Sequence, residues 1–362
     1  MEYVMLGMIL KGGGSLIHLE CDYNNGACEE ILRRLQETNH ERLPGYGADP
    51  YTESAKAKIQ AACGLENAEV EFLAGGTQTN AVIISALLRD WEGVVCASTG
   101  HIFSHEAGAV EYTGHKVLAL PGNMGKLSAE ALRDYLRTFY ADPSHEHMVM
   151  PGMAYISYPT EYGTLYSKAE LSALSTVCRE YGIPLYLDGA RLGYGLMSRE
   201  ADLTLKDIAD LCDVFYIGGT KVGALCGEAA VFSRIKKPEH FTNAVKKRGA
   251  LLAKGRLIGL QFDVLFTDSL YFRLGEHGIC MAEKMKRILR ERGIPFFLET
   301  PTNQQFILLR NELLAPLSEK TTYSYWEKAD DKHTVIRFAA SWATTEEELE
   351  ALGAALDDLG GL

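Results

Sequence analysis

The stretch "DVFYIGGTKVGALCGE", Asp213–Glu228, decides how this chain is read. DVFYI is an apolar, aromatic and β-branched run of strand length, and it stops at a glycine pair. One lysine, Lys221, follows among small residues. An ammonium in low-polarity surroundings is disfavoured. The group there either snorkels to water or becomes a nucleophilic amine suited to an aldehyde.

Working outward, six more short apolar runs resemble DVFYI: "VEFL" from Val70, "GVVCA" from Gly93, "KVLAL" from Lys116, "MAYISY" from Met153, "PLYLD" from Pro184 and "EAAVFS" from Glu228. Segments of helical period separate most of them, such as "NAVIISALLRDW" from Asn80 and "KAELSALSTVCREYG" from Lys168. Strands alternating with helices predict an α/β layer with a mainly parallel central sheet and helices on both faces. Beyond Ser233 the alternation stops. A long helix with a glycine-containing interruption runs from His240, and a second helix, "GICMAEKMKRILRERG", begins at Gly278. Short strands at Phe306 and Thr334 and a last helix from Thr344 follow. This predicts a smaller α+β domain over 236–362 after a large α/β domain over 51–235. Residues 1–50 read as an N-terminal arm and a segment packing with the small domain. Within it, "MEYVMLGMILKGGGS" lacks a basic start or cleavage signature and reads as an extension rather than a signal peptide.

Composition narrows the partners. The 362 residues carry a net charge of −12, which argues against nucleic acid or an anionic membrane surface. No apolar run reaches the roughly 18–20 residues that span a bilayer. Eight cysteines are scattered singly with no CxxC pair, so a disulfide framework or structural zinc is not expected and a reducing, cytoplasmic setting is.

In parallel sheets, ligands bind at the carboxyl ends of the strands. After VEFL comes "AGGTQTN", whose Gly75, Gly76, Thr77 and Thr79 open a helix. This is either a phosphate cradle or an ordinary threonine-capped junction. After GVVCA come His101, His105 and Glu106 in a spacing that is not HExxH. They are either a stacking platform for a flat cofactor or surface and capping groups. After PLYL comes Asp188, with Arg191 three residues on. These two form either a buried ion pair, or a carboxylate for a cationic ring nitrogen beside an arginine free to grip a substrate carboxylate. With Lys221, the four features make up a phosphate cradle, a stacking group, a carboxylate and an amine, a set that pyridoxal 5′-phosphate (PLP) would use.

The segments "GGTQTN", "GHIFSHEAGA", "YLDGARLG" and "YIGGTKVGALCGEA" resemble those of the L-threonine aldolases and related β-eliminating lyases, fold-type I PLP enzymes. The likeness runs from "CDYNNGA" at Cys21 to "IRFAASWAT" at Ile336. It implies that Lys221 carries the cofactor, Asp188 pairs with its ring nitrogen, His101 stacks on the ring, and Gly76 and Thr77 hold the phosphate. Arg256 sits where the family has an arginine reaching the phosphate. Arg191 and Arg337 match the two arginines on the substrate carboxylate, and Asp22 lies in the family's N-terminal substrate motif. Tyr46 matches a loop that reaches an active site across a dimer. The implied activity is cleavage of a β-hydroxy-α-amino acid, L-threonine or L-allo-threonine, to glycine and an aldehyde, in a homodimer or homotetramer with no metal. A β-eliminating amino acid lyase, or an inactive binding protein of the same fold, are the alternatives. The chain departs from the family pattern in three places. Cys21 replaces the serine before Asp22, with Asn24 or Asn25 to supply that contact. "PTEYGTLY" puts Thr160 and Glu161 where an Asn/His motif is usual, and Thr220 replaces the serine before the lysine.

Overall fold

The computed structural model describes residues 16–359. The N-terminal stretch read above as an extension, residues 1–15, lies outside them. In chain order the strands are β1 (Ile17–His18), β2 (Glu69–Leu73), β3 (Glu92–Ala97), β4 (Val117–Leu120), β5 (Met150–Ser157), β6 (Leu185–Asp188), β7 (Val214–Gly218), β8 (Glu228–Phe232), β9 (Phe296–Leu298), β10 (Gln304–Arg310), β11 (Thr321–Thr322), β12 (Ser324–Lys328) and β13 (His333–Ala339). A seven-stranded sheet has the order β2-β8-β7-β6-β5-β3-β4. Its β7, β6, β5, β3 and β4 are parallel, and β8 runs antiparallel to both neighbours. All seven apolar runs read from the sequence are strands of this one sheet.

Side chains alternate between the faces of a strand, and the two cores follow that period. Phe215, Ile217, Leu185, Leu187, Ala229 and Val231 pack on one face. Val214, Tyr216, Tyr186, Tyr155, Ala230 and Phe232 pack on the other. The helix Gly76–Leu87, with Val82, Ile83 and Ile84, covers the second face. Asp188 lies two residues beyond Tyr186, so it points to that same face.

A four-stranded antiparallel sheet, β12-β13-β10-β9, forms around a separate core of Ile307, Leu309, Ile336 and Phe338 with Met285 and Leu352 from two helices. The two-residue β1 joins β11 in parallel, tying the start of the described chain to this part. The helix predicted to begin at Gly278 instead begins at Leu270 and runs to Glu291. Its Gly275 and Gly278 do not break it; they are points of close approach. A Cβ at Gly275 would lie 2.5 Å from the Gly193 carbonyl oxygen, and one at Gly278 would lie 2.5 Å from the Tyr194 ring. The first turn of the helix also ties the site together. The Tyr271 hydroxyl donates to the Gly218 carbonyl at 3.0 Å and accepts the Gly193 N–H at 3.0 Å.

The glycine pair after β7 has a steric cause. A Cβ at Gly218 would sit 2.4 Å from the Ala190 carbonyl oxygen, and one at Gly219 would sit 2.7 Å from that of Gly227. Two strand ends and the returning turn meet there through bare backbone. Gly218→Ala is expected to destabilise the protein by about 2 kcal/mol. The readout is the urea midpoint at constant m; an unmoved midpoint would mean the backbone yields there.

Candidate active site

β7 delivers Lys221 on a tight turn. The N–H groups of Val222 and Ala224 both donate to the Gly219 carbonyl, at 2.9 and 3.0 Å, and the Gly219 N–H donates to Gly227 at 3.0 Å. The Tyr194 hydroxyl donates to the Lys221 carbonyl at 2.6 Å. The ammonium nitrogen lies 5.6 Å from the centroid of the Tyr23 ring. This is not a lysine snorkelling across a surface. Burial, and then the charge of Arg191, lower the affinity of the amine for its proton, while Asp22, Asp188 and Glu228 act the other way; the net shift is downward.

Asp188 ends β6 with only 4% of its surface exposed. One carboxylate oxygen accepts the Tyr216 hydroxyl at 2.5 Å and the Ala190 N–H at 3.0 Å. The other accepts the Tyr155 hydroxyl at 2.7 Å and the Asn80 amide at 3.1 Å. Burial works against the charge. The positive field of His101 and the Tyr216 and Tyr155 hydroxyls outweigh it and hold the carboxyl below its ordinary value. Asp188 is therefore an ionised acceptor at neutral pH. Arg191 is not its partner, so the ion pair weighed between these two residues is absent.

Arg191 instead grips Asp22 through two nitrogens, at 2.7 and 3.0 Å. Asp22 is buried and also accepts the Asn303 amide at 2.8 Å. Both oxygens of Asp22 are thus engaged in holding Arg191, which sets where that guanidinium stands. Arg337, on β13, donates to Gln304 at 2.9 Å and to the Glu20 carbonyl and the Ser324 hydroxyl, each at 2.9 Å. Its Nε is buried without a partner. Burial and the facing charge of Arg191 push Arg337 down to about 10. Two cations facing one another, one with an orphaned donor, form a site that calls for an anion such as an α-carboxylate.

His101 opens the short helix His101–Ser104, and its Nδ1 lies 2.8 Å from a Glu106 oxygen. That oxygen also accepts the Asn80 amide at 2.7 Å. A continuous chain Asp188–Asn80–Glu106–His101 results, and the Tyr186 hydroxyl fixes the Asn80 amide at 2.7 Å. Glu161, one of the departures from the family pattern, accepts the Ser157 hydroxyl at 2.6 Å and the His101 N–H at 2.9 Å. His105 stacks on His101 with centroids 5.7 Å apart. Burial and the neighbouring charge of His101 lower the proton affinity of His105. Among the described residues no cluster of three or more His, Cys, Asp or Glu side chains could hold a metal ion.

Gly76 and Thr77 begin the helix that carries Asn80, so the cradle and the Asp188 network share one element. A Cβ at Gly75 would meet nothing within 4 Å, leaving room above the helix end, whose first N–H groups point outward. Arg256 and Tyr46 lie together elsewhere. Arg256 donates to the Glu41 carbonyl at 3.2 Å and the Tyr46 N–H donates to that of Ala253 at 3.0 Å. Among the described residues no hydrogen bond or ion pair joins either to Lys221 or Asp188. Tyr46 is 57% exposed at a φ of 58°. Lys221, Asp188, an anion-binding helix end and two facing arginines fit the donor set of pyridoxal phosphate and an amino acid. Sequence reasoning missed Tyr155, Tyr186, Tyr216 and Asn80 in this network. The signal was present in the repeated strand endings "YIS", "YLD" and "YIG", which put a tyrosine two residues before the end of three neighbouring strands.

The Asp22–Arg191 pair gives a test. The folded carboxyl of Asp22 lies below its ordinary value, because Arg191 and Lys221 overcome burial. Its contribution to stability is therefore complete above the unfolded value, about 3.9, and is lost as pH falls through the folded one. Asp22→Asn should cost about 3 kcal/mol at pH 7 by stranding a buried guanidinium. The gap from wild type, measured by denaturant titration, should narrow as pH drops below about 4.

Comparison with known proteins agrees with this geometry. Residues 19–307 match the family described as beta-eliminating lyase. A low specificity L-threonine aldolase from a Pseudomonas species is 29% identical over 92% of this chain and 95% of its own length. A Leishmania major threonine aldolase structure superposes with a TM-score of 0.91 at 40% identity, over 94% of this chain and 99% of that one. An aspartate aminotransferase variant from Thermus thermophilus, 15% identical, covers 96% of this chain and 97% of its own at a TM-score of 0.68, a likeness of fold alone. The chain belongs to the beta-eliminating lyase family.

Proposed function

We propose that this protein is a PLP-dependent aldehyde-lyase that cleaves a β-hydroxy-α-amino acid, L-threonine or L-allo-threonine, to glycine and an aldehyde. The observation that carries this reading is the grouping of Lys221, its proton affinity lowered by burial, with an ionised Asp188 and the arginines Arg191 and Arg337, in a chain whose relatives are named threonine aldolases. When bound, PLP supplies an electron sink for the pair released at Cα. Lys221 would hold the cofactor through its amine. Asp188, kept charged by the Tyr155, Tyr216 and Asn80 donors, would pair with the cofactor's ring nitrogen. Arg191 and Arg337 grip the carboxylate and so orient the bond to be broken. His101 would stack on the cofactor ring, and Gly76 and Thr77 would hold its phosphate. His101, His105 or a held water takes the proton of the β-hydroxyl, and the lowered proton affinity of His105 suits it to that role.

The assembly we propose is a homodimer or homotetramer in the cytoplasm. In it, Tyr46 and Arg256 of one subunit serve a neighbour's site, a role that suits an exposed tyrosine held at a positive φ. Residues 51–235 and 236–362 act as large and small domains. The same side chains would serve β-elimination, and the family description keeps that as the second reading.

Incubation with L-threonine, L-allo-threonine and phenylserine should release glycine and an aldehyde; pyruvate and ammonia from serine, without aldehyde, would establish the lyase instead. Lys221→Ala should lose both the visible absorbance of the bound cofactor and turnover, and a variant that keeps both overturns the assignment. Asp188→Asn should fold and lower turnover by roughly 100-fold or more, read as kcat on L-threonine.

A further inference from the structure

His101 is held from two sides. Glu106 meets its ring at Nδ1, 2.8 Å away. Glu161 takes its backbone. One Glu161 oxygen accepts the His101 N–H at 2.9 Å and, at 2.6 Å, the hydroxyl of Ser157, the last residue of β5. The Ser157 hydroxyl lies 3.4 Å from that of Tyr155, which donates to Asp188. Asp188 is thus joined to His101 by two routes. One runs through Asn80 and Glu106 to the ring, the other through Tyr155, Ser157 and Glu161 to the backbone. The turn that carries Glu161 is fixed in its own right. The Gly163 N–H donates to the Thr160 carbonyl at 2.8 Å, and the Thr164 hydroxyl donates to the Met124 carbonyl at 2.8 Å. The Tyr162 ring packs edge-on against Trp326 with centroids 5.2 Å apart.

The two oxygens of Glu161 are used unequally. Both donors, a backbone N–H and a hydroxyl, go to one of them. The other is buried and has no partner. A carboxylate in that state keeps a bare, dry charge, which is costly. A carboxylic acid fits the pattern: its carbonyl oxygen accepts and its hydroxyl oxygen carries the proton. Glu106 differs, because its engaged oxygen faces an imidazole that can take a positive charge.

We propose that Glu161 is a positioning residue for His101 and works as a neutral carboxylic acid, tying the histidine backbone to the end of β5 without adding another negative charge beside Asp188. The surroundings agree. Burial raises the Glu161 carboxyl above its ordinary value and the charge of Asp188 adds to the rise; the Ser157 hydroxyl and the charge of His101 oppose it without reversing it. The titratable groups that face it are Asp188 and His101, with Tyr155, Tyr162, Tyr166 and Cys96 around them.

The inference rests on His101 being the residue that stacks on the cofactor, as proposed above. Its two readouts, on the full-length protein loaded with PLP, need no aldol substrate, so they fail separately from the activity assay. The first is the infrared difference between wild type and Glu161→Gln near neutral pH. Wild type should show one carbonyl stretch of a protonated carboxyl that the variant lacks and that moves on isotopic labelling of glutamate. Lost carboxylate bands in its place overturn the proposal. The second is the PLP dissociation constant, titrated by visible absorbance. Glu161→Ala strands the His101 N–H and the Ser157 hydroxyl, so PLP should bind roughly tenfold more weakly, whereas Glu161→Gln keeps the accepting carbonyl and should stay within about twofold of wild type. A purely structural Glu161 would lower the stability of Glu161→Ala and leave the constant of the folded protein unmoved, and that result overturns the proposal. So does a Glu161→Gln protein that binds PLP as weakly as Glu161→Ala. If Glu161→Ala does not fold, Ser157→Ala removes one of the two bonds, and a weakening of roughly threefold is expected. An unmoved constant there again overturns it.

Discussion

A single carboxylate, Asp188, has to stay charged at the dry end of a buried strand. Isolated, it would take up a proton. It keeps its charge because hydroxyls and an amide from β5, β7 and the helix Gly76–Leu87 converge on it, together with the Ala190 N–H. Each of those elements also carries another part of the site. β7 ends in the Lys221 turn, the helix begins at Gly76 and Thr77, and Asn80 links Asp188 through Glu106 to His101. Satisfying one charge therefore fixes the relative positions of the groups that would hold the cofactor.

The second constraint is close backbone approach. Gly218, Gly219 and Gly189 sit where a Cβ would collide with a neighbouring carbonyl. Tyr271 bridges the same place from the long helix. Lys221 and Arg191 follow strand ends that can lie this near one another only without side chains. The cost falls on stability at these glycines, and the gain is a short reach between an amine and the groups that lower its proton affinity.

Much of this was legible beforehand. All seven strands of the large sheet appear as apolar runs, because a sheet buried on both faces leaves continuous hydrophobic stretches. Lys221, Asp188, His101 and Arg191 announced themselves as charged or polar groups at strand ends. The edge strand β12, "SYWEK", did not stand out, since a half-exposed edge carries no apolar run. The Leu270–Glu291 helix was placed from Gly278 and begins eight residues earlier; Gly275 and Gly278 lie inside it as packing contacts.

What the amino-acid order settled on its own was local: which segments are strands, where the glycines break them, and which chemically able residues follow. Those properties depend on neighbours along the chain. Which carboxylate answers which cation was settled by tertiary structure. Asp188 and Arg191 stand three residues apart, yet Arg191 pairs with Asp22, distant along the chain, and Asp188 with tyrosines from flanking strands. Buried charge selects its partner by distance in space and by the loss of water around it. Both arise only once the sheet has closed.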